Sequence, residues 1–528
     1  MMPKKPFSTN RTLTRQEYRW RKILLDKVKQ FWLEGVLEKS LHKKVAMELC
    51  WEKWGNLIPI SINEVKVFPT GNITTDIFNR TDSRNTMLIL GESGSGKTVT
   101  LLTIAQSLIV STQNDLNQPL PVVLNLSTWK NQETSIADWL VDKLSKMYGI
   151  PQWLGKTWVG NEQLFLLLDG LDEVDIKCRS NCVKALNQFL QEYTSTNMVV
   201  CCRIQDYQAL SEHLKFKSAI YIQPLTLQQI DQYLEQGGEK LTLLKTVLNQ
   251  NIEIKKLACS PLILSMLTLT YQGYSVNSLL DLGPANTFQQ RLFDTYIKRM
   301  LIHQSTNHQY SQEKTKYWLM WIAQKMIQTS QTVFFMEEMK FSWLQTKPQR
   351  IWYIWESAIV TGLISGLSYG LSYGLIFGLV WGLIAGLTDD EIIVGLFWGL
   401  IHGLFWGLIA GLIAGLAAGL INRLSEESID GLSEQPINGL SERPMSLLVI
   451  GLIPFFIVAL MAEIVTDIVT HLRLIFLHFL LYLRGFIPWN YARFLDYATE
   501  SLFLYKVGTG YIFVNRMLME HFAQMELK

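Results

Sequence analysis

The hydrophobic pattern divides the chain into regions with different predicted structures. Apolar residues recur at helical spacing over residues 15–56, which predicts an N-terminal helical region. From residue 85 to residue 225, short apolar runs alternate with helical patterns, and this alternation predicts a mostly parallel sheet covered by helices on both faces. Residues 226–345 show a helical pattern with few strand signals.

The elements of the alternating region can be placed along the chain. The apolar runs predict strands at 87–90, 122–126, 164–168, 198–202 and 220–222. The helical patterns between them predict helices at 97–110, 135–148 and 179–193.

Two apolar runs carry a glycine at every fourth residue. They cover residues 351–387 and 392–421, and each exceeds the ~20 apolar residues that a helix needs to cross a bilayer. Small side chains along one helix face favour close packing of membrane helices. The pattern therefore predicts an α-helical transmembrane insertion over 351–489 with two or four crossings. Expansion of a short DNA repeat would also explain the regularity.

Composition limits the partners and the kind of site. The chain has 528 residues, of which 48% are hydrophobic, and its net charge of +2 gives no general argument for nucleic-acid binding. No apolar signal-peptide segment is found near the N-terminus. The six cysteines follow no metal-binding or disulfide spacing, so we interpret them as reduced thiols. Several domains are expected from this length.

The sequence GESGSGKT at residues 91–98 follows a predicted strand and opens a predicted helix. It fits the phosphate-binding pattern G-x-x-x-x-G-K-[ST]. Its glycines let backbone N–H groups point at phosphate oxygens, Lys97 would reach the β- and γ-phosphates, and the Thr98 hydroxyl would hold Mg²⁺. The predicted nucleotide-binding residues are Gly91, Glu92, Ser93, Gly94, Ser95, Gly96, Lys97, Thr98 and Val99.

Acidic and basic residues follow two further predicted strands. Asp169 ends the strand at 164–168 and is predicted to hold Mg²⁺ together with Thr98. Asp172 and Glu173 come next; either could polarise the attacking water, and Glu173 is our choice, although both could simply cap the next helix. Arg203 follows the strand at 198–202 and would approach the γ-phosphate, or else form a structural ion pair.

Together, GESGSGKT, LFLLLDGLDEV, VVCCR, IQPLTLQQIDQYL and SPLILSML resemble the NACHT NTPases, which belong to the STAND class of signal-transducing P-loop ATPases. The resemblance extends over residues 20–350 and is strongest to bacterial, especially cyanobacterial, members. It implies that Pro261 packs near the nucleotide base. It also implies a winged-helix domain whose final His contacts ADP; Asn515 stands at that position, where it can donate a hydrogen bond but cannot be cationic.

The fold expected from pattern and resemblance is an α/β P-loop NTPase followed by helical and winged-helix domains, with the transmembrane insertion inside the winged helix. The expected domains are an N-terminal helical region (1–60), a NACHT domain (61–225), a helical domain (226–282), the first part of a winged helix (283–350), the transmembrane region (351–489) and the end of the winged helix (490–528).

The resemblance implies a nucleotide-controlled switch that hydrolyses ATP slowly with Mg²⁺, rests with ADP and forms homo-oligomers with ATP. Bacterial relatives act in signalling and in defence against phage, and an unidentified trigger ligand is implied. The predicted location is the cell membrane, with the bilayer as partner and the NTPase domain in the cytoplasm. The alternatives are a constitutive membrane ATPase and a scaffold that binds nucleotide without switching.

Overall fold

The computed structural model describes residues 13–40, 51–54, 86–129, 134–237, 239–271, 285–303, 310–329, 331–339, 474–475 and 477–525, together with positions 343, 401, 405 and 409. The chain divides into two compact units. Met1–Met336 and Asn490–Lys528 form the first unit, and Glu337–Trp489 form the second.

Six strands form the main sheet of the first unit. They are β1 Trp51–Trp54, β2 Thr86–Gly91, β3 Leu120–Asn125, β4 Leu164–Asp169, β5 Asn197–Arg203 and β6 Ser218–Ile222. Their order is β1-β6-β2-β5-β4-β3, and all neighbouring strands are parallel except β1 and β6. The central strands are apolar except at their ends, as expected for a parallel sheet buried on both faces. The predicted α/β sheet is confirmed.

Helices pack with this sheet in one hydrophobic core. They are α1 Arg15–Val28, which continues as a π-helix over Lys29–Leu37, α2 Lys97–Asn114, α3 Ile136–Tyr148, α4 Gln152–Gly160, α5 Ile176–Glu192 and α6 Ile204–Gln208. Side-chain caps begin several of them: Thr14 accepts a hydrogen bond from Glu17 N, and Ser135 accepts one from Asp138 N. Left-handed Gly149 ends α3.

The N-terminal prediction needs one correction. A continuous helix over 15–56 is wrong, because residues 51–54 form β1 and pair antiparallel with β6. Without β1, β6 would be an edge strand with a row of unpaired N–H and C=O groups, and pairing satisfies those groups. The spacing of apolar residues is a local pattern and cannot reveal that this segment pairs with a strand that is distant in the sequence.

The next region is helical, as its pattern predicts. It contains α7 Leu227–Gln236, α8 Glu239–Gln250, α9 Ile252–Leu257, α10 Pro261–Tyr271, α11 Ala285–His303 and α12 Gln312–Gln328. A capping box between Thr226 and Gln229 begins α7.

A small antiparallel sheet joins two distant parts of the chain. Its strands, β7 Phe334–Phe335, β8 Leu504–Val507 and β9 Gly510–Phe513, lie in the order β7-β9-β8. Helices α13 Tyr491–Glu500 and α14 Arg516–Gln524 flank the β8–β9 hairpin in the sequence. The Tyr296 hydroxyl donates to Leu502 O at 2.8 Å, and Gln324 Nε2 donates to Ala523 O at 3.3 Å. Chain before residue 337 and chain after residue 489 therefore fold together, and the winged-helix assignment stays a prediction.

The N-terminal π-helix packs closely on the β8–β9 hairpin. A Cβ on Gly35 would lie 2.5 Å from Lys506 O, so only glycine fits there without a shift of backbone. Gly508, at the tip of the hairpin, has a φ of +63° and lies against the Phe31 ring. The N-terminal and C-terminal parts of the first unit are thus in direct contact.

The structure corrects the predicted transmembrane insertion. In the described part of the chain, no helix combines the length and the apolar character needed to cross a bilayer. The runs 351–387 and 392–421 lie outside the described residues, apart from the three positions 401, 405 and 409. This finding contradicts the transmembrane part of the fold prediction. It also contradicts the predicted multi-pass membrane localisation.

Candidate nucleotide-binding site

The predicted site residues meet at one edge of the main sheet. The strand register places Gly91 beside Arg203 and Asn125 beside Asp169. Each of these residues is the last of its strand, so all four lie at the carboxyl edge. Ligands of open parallel α/β sheets bind at this edge.

The loop at 91–98 has the geometry of a phosphate-binding loop. Gly94 and Gly96 have φ values of +75° and +96°, a left-handed conformation that favours glycine. Lys97 Nζ donates to Gly91 O at 3.0 Å and to Glu92 O at 2.8 Å, so its ammonium group arches over the loop. Because α2 begins at Lys97, its N-terminal N–H groups face the same space and favour an anion.

The start of α10 rests on this loop. Leu262 N and the Ser260 hydroxyl donate to Gly94 O at 3.3 and 3.4 Å. A Cβ on Gly94 would lie 2.9 Å from Leu262 Cβ, so the contact is tight. Pro261, the predicted base contact, is the buried first residue of α10, and it is the adjacent Leu262 that lines the cleft.

Thr98 and Asp169 bring two side-chain oxygens together beside the phosphate-binding loop. The Thr98 hydroxyl donates to Asp169 Oδ2 at 2.6 Å. Burial raises the pKa of Asp169, while the Thr98 hydrogen bond and the charge of Lys97 oppose that rise. No cluster of three or more His, Cys, Asp or Glu side chains in the described chain could hold a metal ion alone. The pair nevertheless fits Mg²⁺, which usually takes one or two protein oxygens and completes its shell with phosphates and water.

Glu173 lies beside this pair at the end of a 3₁₀ turn, Leu171–Glu173. Asn125 Nδ2 donates to Glu173 Oε2 at 2.8 Å. Burial, followed by the charges of Asp172 and Asp169, raises the pKa of Glu173 to about 7. A carboxylate with a pKa near the working pH is suited to accept a proton from water.

Asp172 has a different environment from Glu173. Its Oδ1 accepts a hydrogen bond from Arg203 N at 3.1 Å, and its Oδ2 lies 2.9 Å from Arg203 Nε. Only 6% of the Asp172 side chain is exposed. The backbone oxygen of Asp172 also accepts a hydrogen bond from Arg179 Nη2 at 2.6 Å. Asp172 therefore anchors arginines, which leaves Glu173 as the acid better placed to act as a base.

The C-terminal segment contributes two side chains to the same cleft. Asn515 lines it, but its Oδ1 accepts from Met517 N at 2.7 Å and caps α14. Arg516 Nη1 lies 3.4 Å from Asp172 O, and Arg516 Nε lies 2.9 Å from Glu520 Oε1. The sequence reasoning identified Asn515 and missed Arg516, its immediate neighbour.

Apolar side chains line the cleft together with the charged ones. They come from the N-terminal π-helix, from α2 and from the C-terminal segment that contains β8 and β9: Trp32, Val36, Leu37, Val99, Leu102, Tyr505, Ile512 and Val514. Trp32 is held in place because its Nε1 donates to the Tyr148 hydroxyl at 2.9 Å. A lining that is both charged and apolar matches a nucleotide, whose phosphates are charged and whose base is flat and largely apolar. Of the predicted nucleotide contacts, Ser93, Gly94, Gly96, Lys97, Thr98 and Val99 line the cleft.

Residues 85–240 match the sequence profile of the NACHT domain. The resemblance is thereby confirmed for this part of the chain, and the match agrees with the parallel-sheet α/β fold of a P-loop NTPase. The match contains the phosphate-binding loop, Asp169, Asp172, Glu173 and Arg203.

Other comparisons add little. No curated protein matches the chain. Among solved structures, the ORC1 protein of Aeropyrum pernix in complex with DNA matches with 12% sequence identity, over 67% of this chain and 80% of that chain, with a TM-score of 0.28. A score of this size reflects a poor superposition and supports no conclusion about function.

Proposed function

We propose that the chain binds ATP with Mg²⁺ and hydrolyses it slowly as a regulatory switch. The observation that carries this proposal is the 2.6 Å contact between Thr98 and Asp169 at the start of α2, in the same cleft as the partly buried Glu173. Lys97, Thr98, Asp169 and Glu173 all line one cleft, which supports a common role in binding and hydrolysing a nucleotide.

Each residue of the cleft has a role in the proposed hydrolysis that follows from its chemistry. Lys97 and the N–H groups of the loop bind the phosphates, and Thr98 and Asp169 would hold Mg²⁺. When bound, Mg²⁺ neutralises charge on the β- and γ-phosphates. Glu173 orients a water and takes its proton. Arg203, held by Asp172, would stabilise charge on the terminal phosphate.

Several distant parts of the chain line the cleft, and this supports the switch. They are the N-terminal π-helix, the NTPase domain, the start of α10, residues 332 and 333 before β7, and the C-terminal segment with Tyr505, Asn515 and Arg516. A ligand shifts a conformational equilibrium only when it contacts the two states differently. A nucleotide enclosed by these parts can make such differential contacts. By resemblance, the ADP form is the resting monomer, the ATP form assembles, and the output is bacterial signalling or antiphage defence.

The test is the mass of the protein in solution, measured by light scattering after size exclusion, with ADP, with ATP and with a non-hydrolysable ATP analogue. Lys97→Ala is measured under the same conditions, and phosphate release is followed in parallel. Assembly with triphosphate only, lost in Lys97→Ala, is the expected result. An unchanged mass with steady turnover would instead identify a constitutive ATPase, and nucleotide binding without turnover would identify a scaffold.

A further inference from the structure

Asn125 uses both ends of its side-chain amide. Its Oδ1 accepts a hydrogen bond from Ser127 N at 2.8 Å, and its Nδ2 donates to Glu173 Oε2 at 2.8 Å. Only the amide oxygen can accept from a backbone N–H, so the Ser127 bond fixes which end of the amide faces Glu173. Glu173 is therefore held by a donor whose own orientation is fixed.

Ser127 in turn forms a hydrogen bond with a residue that is distant in the sequence. Its hydroxyl lies 2.6 Å from the Thr332 hydroxyl, although 205 positions separate the two residues. Ser127 is buried, with 4% of its surface exposed. Thr332 lies two residues before β7, which pairs with β9 from the C-terminal part of the chain. The turn that carries Asn125 is thus tied to the small three-stranded sheet.

We propose that Asn125 is the positioning residue of Glu173, and that the hydrogen bond between Ser127 and Thr332 makes this positioning depend on the three-stranded sheet. The inference rests on the proposed function, in which Glu173 is the base of ATP hydrolysis. With Oε2 held by Asn125, Oε1 is the oxygen that accepts the proton from water. A base oriented by a third group is a general arrangement of activated nucleophiles.

The contact has a regulatory consequence. When β7 moves with its sheet away from the 3₁₀ turn over Leu126–Thr128, the bond between Ser127 and Thr332 breaks and the Asn125 turn loses its support. A displacement of ~1 Å at a catalytic group can lower a rate on the order of 100-fold. Hydrolysis is therefore competent only while the sheet is docked on the NTPase domain.

The test compares turnover and nucleotide affinity in matched variants. Thr332→Val removes the hydroxyl while keeping the shape, and Thr332→Ser keeps the hydroxyl as the control. Ser127→Ala removes the other half of the bond. Loss of one hydrogen bond is expected to lower kcat by roughly threefold to tenfold in Thr332→Val and Ser127→Ala, with KM within about twofold of wild type and Thr332→Ser unchanged.

Asn125→Ala is expected to have the largest effect, on the order of 100-fold in kcat, again with little change in KM. Because Ser127 and Thr332 act through one bond, their double variant should be no slower than either single variant. Melting curves check that each variant is folded. A merely structural role would lower the melting temperature but would leave kcat unchanged at assay temperatures well below the melting temperature. A wild-type kcat in folded Thr332→Val, additive losses in the double variant, or a raised kcat in Asn125→Ala would overturn the inference.

Wild type and Glu173→Gln are measured first to separate this inference from the proposed function. If wild type shows no turnover above Glu173→Gln, the proposed function fails and the inference falls with it. If Glu173→Gln abolishes turnover while Asn125→Ala leaves it intact, only the positioning role fails.

Discussion

Arg516 Nη1 lies 3.9 Å from Asp172 Oδ2, although the two residues are far apart in the sequence. The same Asp172 oxygen lies 2.9 Å from Arg203 Nε. The buried carboxylate is therefore compensated by one arginine from the NTPase domain and by another from the C-terminal segment. Arg516 is the first residue of α14, so its contact with Asp172 forms only while that helix lies against the NTPase domain.

We expect Arg516→Ala to loosen the C-terminal segment. The change leaves Asp172 with less compensation for its buried charge, and removing a partner from a buried charge is costly. Release of a fluorescent nucleotide analogue, followed by stopped flow, should therefore become faster. Lys506→Ala is the control, because it breaks an exposed ion pair with Asp496 in the same segment and away from Asp172. Equal release rates in the two variants would show that the Arg516 contact does not hold the segment.

The pKa of Glu173 predicts how pH affects stability. Burial raises this pKa from 4.5 to about 7 on folding, so the folded protein binds the proton more tightly than the unfolded chain. The resulting destabilisation is absent below the unfolded pKa, grows as pH rises between the two values and is complete above the folded pKa. Glu173→Gln removes the charge while its side-chain oxygen can still accept from Asn125.

Without nucleotide or Mg²⁺, Glu173→Gln should therefore melt at a higher temperature than wild type at pH 8 and at nearly the same temperature at pH 5. Differential scanning calorimetry of both proteins at both pH values checks this, and the shared titrating groups cancel in the comparison. A gain of the same size at pH 5 would mean that packing, and not the buried charge, is responsible.

The sequence predicted those site residues that belong to short local motifs next to predicted strands. Asp169 and Arg203 directly follow predicted strands, Lys97 and Thr98 close the loop after another strand, and Glu173 lies a few residues beyond Asp169. The parallel sheet brings the ends of these strands to one edge. Asn125 lies near the end of the apolar run that predicts a strand at 122–126, and it is the last residue of the observed strand β3. A polar side chain at the end of a predicted strand was therefore a signal that could have identified it.

Thr332 and Arg516 could not be found in this way. Both enter the site through pairing of segments distant in sequence, namely β7 with β9 and the C-terminal segment with the NTPase domain. The β1 strand was missed for the same reason. The transmembrane prediction failed because it rested on composition and glycine spacing, and the described chain contains no helix with the required length and apolar character.

Gly94 offers a test of the contact between the phosphate-binding loop and α10. In Gly94→Ala the new Cβ would lie 2.9 Å from Leu262 Cβ, and the φ of +75° is strained for alanine. We expect a loss of stability of ~1–3 kcal/mol and weaker nucleotide binding. Gly155→Ala is the control, since its Cβ meets its nearest neighbour at 3.6 Å inside α4. It should stabilise the fold by ~0.5–1 kcal/mol. Chemical denaturation measures both values, and equal changes would contradict the role of the loop geometry.

Removal of the metal tests the pair formed by Thr98 and Asp169. Thr98→Val keeps the shape of the side chain but removes the hydroxyl that lies 2.6 Å from Asp169 Oδ2, and Thr98→Ser keeps the hydroxyl. If the pair holds Mg²⁺, wild type and Thr98→Ser should bind ATP more tightly with Mg²⁺ than with EDTA. Thr98→Val should lose most of this difference while its affinity in EDTA stays close to that of wild type, because Lys97 and the loop N–H groups still bind the phosphates. Isothermal titration of the three proteins in the two buffers gives the dissociation constants needed, and a Mg²⁺ effect of wild-type size in Thr98→Val would place the metal on other ligands.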